Sequence, residues 1–120
     1  MAKEQDICER TFEFAERIVR LCATLSENPG VSRTLSNQLL RSGTSIGANV
    51  EEAQGGQSRK DFLSKIAIAR KEARETHYWL RLVAAAEMMK PERLTGLTQE
   101  CDELVAILTA IVKKTRENLE

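Results

Sequence analysis

Residues 39–53 read LLRSGTSIGANVEEA, and the fold turns on whether this stretch is a loop or a helix. Gly43-Thr44-Ser45-Ile46-Gly47 formally matches the G-x-S-x-G nucleophile elbow, which needs a strand before it, a strained turn, and a separate histidine and acid. The residues before it do not read as a strand. Leu35, Leu39, Ile46, Val50 and Ala53 recur at helical spacing, and only His77 is available as a base. The stretch also lacks the Lys-Ser/Thr ending of a phosphate-binding loop. It is therefore a helix with two glycines inside it. Each costs about 1 kcal/mol against alanine, so a compensating contact is expected. Gly43 and Gly47 stand four apart and, with Ser36, make a small-residue groove that another helix can approach closely.

Punctuation on either side of this helix gives three more. The first runs from about Lys3 to Ser26, with Ile7, Thr11, Phe14, Ile18, Leu21 and Leu25 at heptad spacing, and Asn28-Pro29-Gly30 ends it. The second runs from about Ser32, read as its N-cap, to Gln54, where Gly55-Gly56 breaks it. The third is capped by Ser58, with Asp61 in a capping-box-like position. It reaches about Met89 on a stripe of Phe62, Ile66, Ala69, Ala73 and Leu80. Pro91 opens the fourth, since proline suits a first helical turn. There Leu94, Leu97, Cys101, Leu104, Leu108 and Ile111 form a coiled-coil-like seam. Long helices with short connections make an all-α, antiparallel up-down four-helix bundle, one domain over residues 1–120.

Helix three carries more apolar surface than a four-helix monomer needs. Ile68, Trp79, Leu82 and Ala86 fall roughly 120–130° from its first stripe, by the ~100° step per residue. One stripe suffices for one core, so this second stripe is a candidate oligomer interface. Arg41, Ser45, Asn49 and Glu52 line a polar edge of helix two, and Lys71, Glu75 and Tyr78 an edge of helix three. Together they are a candidate hydrogen-bonded seam between helices or subunits.

The chain has 18 Lys/Arg and 18 Asp/Glu, a net charge of zero. The balance is uneven along it. Residues 58–90 hold eight basic against four acidic, while residues 1–30 and 91–120 each hold four against six. Arg70, Arg74, His77 and Arg81 lie within about 60° of one another on helix three. They are the candidate nucleic-acid contact, since guanidinium groups suit phosphates. Pairing with acids such as Glu13, Glu16 or Asp102 is the competing reading, and the neutral total favours it.

Catalysis and cofactors find little support. Carboxylate-bridged di-metal bundles need Glu-x-x-His on two helices, and the single histidine, His77, has Glu75 only two residues before it. No catalytic, cofactor-binding or metal site is read from the chain. Cys8, Cys22 and Cys101 form no CxxC pair and read as buried, reduced thiols. No apolar run approaches the roughly 18 residues of a membrane span, and the first residues lack the apolar core of a signal peptide. A cytoplasmic, non-enzymatic protein is expected, with no membrane and no small-molecule substrate among its partners.

The RSGTSIGANVEEA string, with Asp61-Phe62 and the later KEARETHYWL of residues 71–80, resembles the bacterial four helix bundle protein family. Some members are encoded in intervening sequences of large-subunit (23S) ribosomal RNA genes. Relatives are accessory proteins of diversity-generating retroelements. The resemblance spans nearly the whole chain. It implies a homopentameric ring acting as a scaffold or interaction module, with RNA or a reverse transcriptase as candidate partners. The retroelement members tend to be basic. A pI near 6.6 places this chain with the intervening-sequence type, and the nucleic-acid-binding accessory role is the alternative.

Overall fold

The computed structural model describes residues 3–119, with side chains from Ile7 to Leu119. Four helices follow one another: α1 (Lys3–Leu25), α2 (Val31–Gln54), α3 (Arg59–Ala85) and α4 (Thr95–Leu119). A 3₁₀ turn, Pro91–Arg93, leads into the last. No strand occurs among the described residues. The chain is an all-α bundle, 48 Å long and 23 by 21 Å across. Each helix packs chiefly on its neighbours in sequence, and α1 meets α4 more sparsely. Among the described residues no helix is long and apolar enough to cross a membrane.

The core is the sum of one stripe per helix. Ile7, Thr11, Phe14, Ile18, Leu21 and Leu25 are all buried on α1. Thr11 fits there because its hydroxyl donates to the Ile7 carbonyl at 2.8 Å, which satisfies it within its own helix. On α4 the seam holds from Leu94 to Leu108 and then shifts. Val112 is buried where Ile111 was expected, and Ile111 is only half-buried. A strict 3.5-residue repeat drifts about 20° per heptad on a 3.6-residue helix, and after two heptads the next residue takes the inward place.

Helix ends differ from the sequence reading in three places. Ser32 is not the N-cap of α2. Gly30 takes that position at φ 85°, with no side-chain cap, and Ser32 lies in the first turn. Pro91 opens the 3₁₀ turn, and α4 starts at Thr95. The end of α3 is Ala85 rather than Met89. The Met88 amide donates to the Val83 carbonyl at 3.1 Å and the Glu87 amide to the Ala84 carbonyl at 3.0 Å, with Glu87 at φ 56°. This pair of bonds is a Schellman stop, formed with glutamate where glycine is usual. Ser58 caps α3, its hydroxyl accepting from the Asp61 amide at 3.1 Å.

Candidate functional site

The small-residue groove lies inside the bundle, where α2 meets α1. A β-carbon on Gly47 would stand 3.1 Å from the Thr11 carbonyl oxygen, and one on Gly43 would stand 2.8 Å from Ile18 Cγ2. Ser36 is buried beside them. Its hydroxyl donates to the Cys22 carbonyl at 3.1 Å, and the Cys22 thiol donates to the Ser36 carbonyl at 3.5 Å.

Where α2 meets α3, Arg41 faces two carboxylates. Its guanidinium donates to Glu72 at 3.3 Å and also binds Glu75. Trp79 Nε1 donates to the same Glu75 oxygen at 3.0 Å. Glu72 is buried to 9% exposure, so Arg41 holds a charge that water barely reaches. Below this network the Thr76 and Ser42 hydroxyls bond each other at 2.9 Å. Ser45 and Asn49 bond back to carbonyls of their own helix. Glu52 and Lys71 are exposed and make no cross-helix bond among the described residues. Tyr78 is exposed, edge-on to Trp79 at 5.2 Å and beneath the Arg81 guanidinium at 5.9 Å. Sequence reasoning named Arg41 and Glu75 but missed Glu72, Ser42 and Thr76. The spacing of Glu72, Thr76 and Leu80, one helical turn apart, was the available signal.

The second stripe of α3 adjoins this network through Trp79. Ile68 is exposed, and Trp79 and Leu82 are half-buried. Ala86 is exposed and serves as the C-cap of α3, beyond the helical face assigned to it. A further exposed apolar strip, Phe12 and Val19 on α1, was not anticipated. These two residues stand seven apart on the helix, a spacing hidden beneath the stronger core stripe.

The arginine stripe borders α4. His77 and Arg81 line an open cleft of about 690 Å³ with Leu94, Thr98 and Asp102, and Arg74 joins them in the adjoining depression. Of the four, only His77 faces an acid, Asp102 at 3.9 Å. Arg70, Arg74 and Arg81 make no ion pair among the described residues, so the expected pairing with acids inside the protomer does not form. Glu16 pairs with Arg20 instead. The α1–α4 link is made by Arg10, which donates to Glu100 at 2.7 and 3.0 Å and to Glu103 at 3.1 Å.

Cys22 and Cys101 are buried and Cys8 is half-buried, all as free thiols. Burial pushes the Cys101 thiol up to about 12, with Asp102 and Glu100 adding to the effect. Burial also raises Cys22 and Cys8. Such thiols are held protonated and are poor nucleophiles. No group of three or more His, Cys, Asp or Glu side chains able to hold a metal occurs among the described residues.

No curated protein matches the chain. A crystal structure of a protein of unknown function from the S23 ribosomal protein family of Bacteroides thetaiotaomicron is 41% identical, with a TM-score of 0.85. The match covers 93% of this chain and 99% of that one. The model of the 23S rRNA-intervening sequence proteins matches residues 3–110. With the helical bundle described above, this places the chain in the 23S rRNA-intervening sequence protein family.

Proposed function

We propose that the chain is a non-catalytic scaffold that assembles with copies of itself, as the five-subunit ring implied by the family resemblance. The observation that carries this reading is apolar surface left uncovered on the protomer. Phe12 is 63% exposed, Tyr78 50%, Val19 48% and Ile68 37%. Burying a large apolar side chain is worth about 1.5–3 kcal/mol, so a second copy that covered these residues would be stabilised by them. The free thiols suit a reducing compartment such as the cytoplasm. Light scattering coupled to size exclusion tests the reading. A mass several times 13.5 kDa is expected, and a clean monomer at micromolar concentration overturns it.

A second reading is favoured by one observation. Arg70, Arg74 and Arg81 carry no ionic partner among the described residues, and Arg74 and Arg81 border open depressions beside α4. As an accessory protein of a reverse transcriptase, the chain would use them on RNA phosphates. Binding would then weaken steeply with salt, as released counterions require. A gel-shift titration of RNA at two salt concentrations tests this, and binding insensitive to salt overturns it.

A further inference from the structure

The outer faces of α1 and α3 carry opposite, matching patterns. On α1, Glu9, Glu13 and Glu16 are exposed and lie within about 60° of one another by the ~100° step. Glu9 and Glu13 join no ion pair among the described residues, and Glu16 reaches only Arg20 on its own helix. Phe12 and Val19 run alongside them. On α3, Arg70, Arg74 and Arg81 lie within about 40° of one another, with Tyr78 alongside. Lys71, about 20° beyond Tyr78, adds a fourth cation. Each face is therefore a charged strip with an apolar flank, and the net charges are opposite in sign, with Arg20 standing inside the α1 strip and paired to Glu16.

These faces cannot meet within one protomer, because α1 and α3 occupy diagonal corners of the bundle. They do stand at matching heights. Gly43 abuts Ile18, and its neighbour Ser42 bonds Thr76, so Ile18 and Thr76 are level. Both helices run the same way. Glu16 and Arg74 each lie two residues before these markers, which makes them level with one another. Glu13 and Arg70 differ by one residue, about 1.5 Å of rise. Val19 and Tyr78 likewise differ by one. A rotation with no shift along the bundle axis preserves these levels.

The order around each helix also matches. In the same rotational sense, α1 presents its apolar strip and then its acids, while α3 presents its arginines and then Tyr78. Two parallel helices in contact traverse their facing surfaces in opposite senses. Acids then fall on arginines and apolar groups on apolar groups.

We infer that α1 of one copy docks against α3 of a second copy, with Glu13 and Glu16 facing Arg70 and Arg74, and Phe12 and Val19 facing Tyr78. This rests on the self-assembly proposed above and names the surfaces that perform it. Two different faces make a heterologous contact, which repeats head to tail until the rotation closes. Like charges reject α1 against α1 and α3 against α3, so the charges set the direction of the contact. The arginines are then occupied within the assembly and are not offered to RNA.

Charge reversal on the full chain tests the pairing, with mass read by light scattering and folding by circular dichroism. The parent should be a multiple of 13.5 kDa. Glu13→Arg with Glu16→Arg, and separately Arg70→Glu with Arg74→Glu, should each keep the helical signal and fall to 13.5 kDa. Mixing the two variants should restore species heavier than 13.5 kDa joined by contacts between unlike copies, because each then presents the charge the other lacks; a ring of five cannot alternate throughout, so the parent's mass need not be reached. A monomeric parent overturns self-assembly itself. An assembled parent whose reversed variants keep their mass, or whose monomeric variants do not recombine, overturns this pairing and leaves self-assembly standing. If a reversal loses its helical signal, the neutral pairs E13Q/E16Q and R70Q/R74Q decide. An assembly weakened tenfold or more supports the pairing, and an unchanged one overturns it. RNA binding by the assembled parent that is lost in the arginine variant at unchanged mass assigns the arginines to phosphate and also overturns it.

Discussion

The Thr11 carbonyl oxygen lies 3.1 Å from the point where a β-carbon on Gly47 would stand, so α1 and α2 meet backbone to backbone. One turn away Gly43 meets a side chain instead. A β-carbon there would stand 2.8 and 2.9 Å from Ile18 Cγ2 and Cγ1. The two glycines accept the helix-propensity penalty in exchange for that approach.

Gly43→Ala should destabilise the bundle. The obstructing Ile18 atoms branch directly from its β-carbon and cannot turn away freely. Overpacking of about 1–3 kcal/mol exceeds the roughly 1 kcal/mol that alanine gains in propensity. In an Ile18→Ala background those atoms are absent, and the same substitution should stabilise by up to about 1 kcal/mol. Urea unfolding of the four proteins reads the change of sign. The same sign in both backgrounds would show that Ile18 does not enforce glycine here. Gly47→Leu should prevent folding, since Thr11 offers backbone that cannot rotate aside.

The core was legible because each helix shows a clean stripe, from Ile7 to Leu25 on α1 and from Leu94 to Leu108 on α4. The glycine positions were legible because two costly residues four apart in a helix demand a close neighbour. What the sequence hid depends on where helices sit relative to each other. Arg41 reaches Glu72 across 31 positions of chain, and Arg10 reaches Glu100 across 90. No local spacing announces either. Phe12 and Val19 were masked by the core stripe one residue before them. The end of α3 was misread because its stop uses Glu87 where a glycine would have marked it.

Arg41→Ala should destabilise more than its exposure suggests. Arg41 itself is 49% exposed, but its partner Glu72 is only 12% exposed at the side chain. Removing the guanidinium leaves a carboxylate poorly solvated, at about 1–3 kcal/mol. Arg20→Ala is the control, because Arg20 and Glu16 are 73% and 52% exposed, and such helical pairs are worth about 0.3–0.5 kcal/mol. Chemical unfolding of both variants checks the ratio. Equal losses would mean that water solvates Glu72 without Arg41.

Alkali should weaken the fold through Cys101. Burial lifts this thiol from the ordinary 9.0 to about 12, so the folded chain keeps a proton that the unfolded chain releases. The contribution is complete below pH 9 and is lost as pH rises toward 12, by about 1.4 kcal/mol per pH unit. Cys101→Ala removes this proton from both states, and its stability should fall less steeply over that range. Parallel slopes for parent and variant in urea unfolding between pH 9 and 11 would sink the assignment. Other lysine and tyrosine titrations are common to both proteins and cancel.

Glu87→Gly should stabilise the bundle. Glu87 stands at φ 56°, where a β-carbon crowds the backbone at about 1–2 kcal/mol per residue. The position is fixed from both sides. The amides of Glu87 and Met88 bond back to Ala84 and Val83, and Met88 is half-buried against the core. The chain must therefore turn here whichever residue is present. Glycine adopts this conformation without the clash, though it loses more freedom on folding, so the net gain should be about 0.5–1 kcal/mol. The side chain it removes is exposed and joins no ion pair among the described residues, so no contact is lost with it. Glu87→Ala separates the two effects. It keeps the β-carbon and should bring no such gain. A higher melting temperature for the glycine variant alone supports the Schellman stop, and equal gains for both would trace the effect to the lost charge instead.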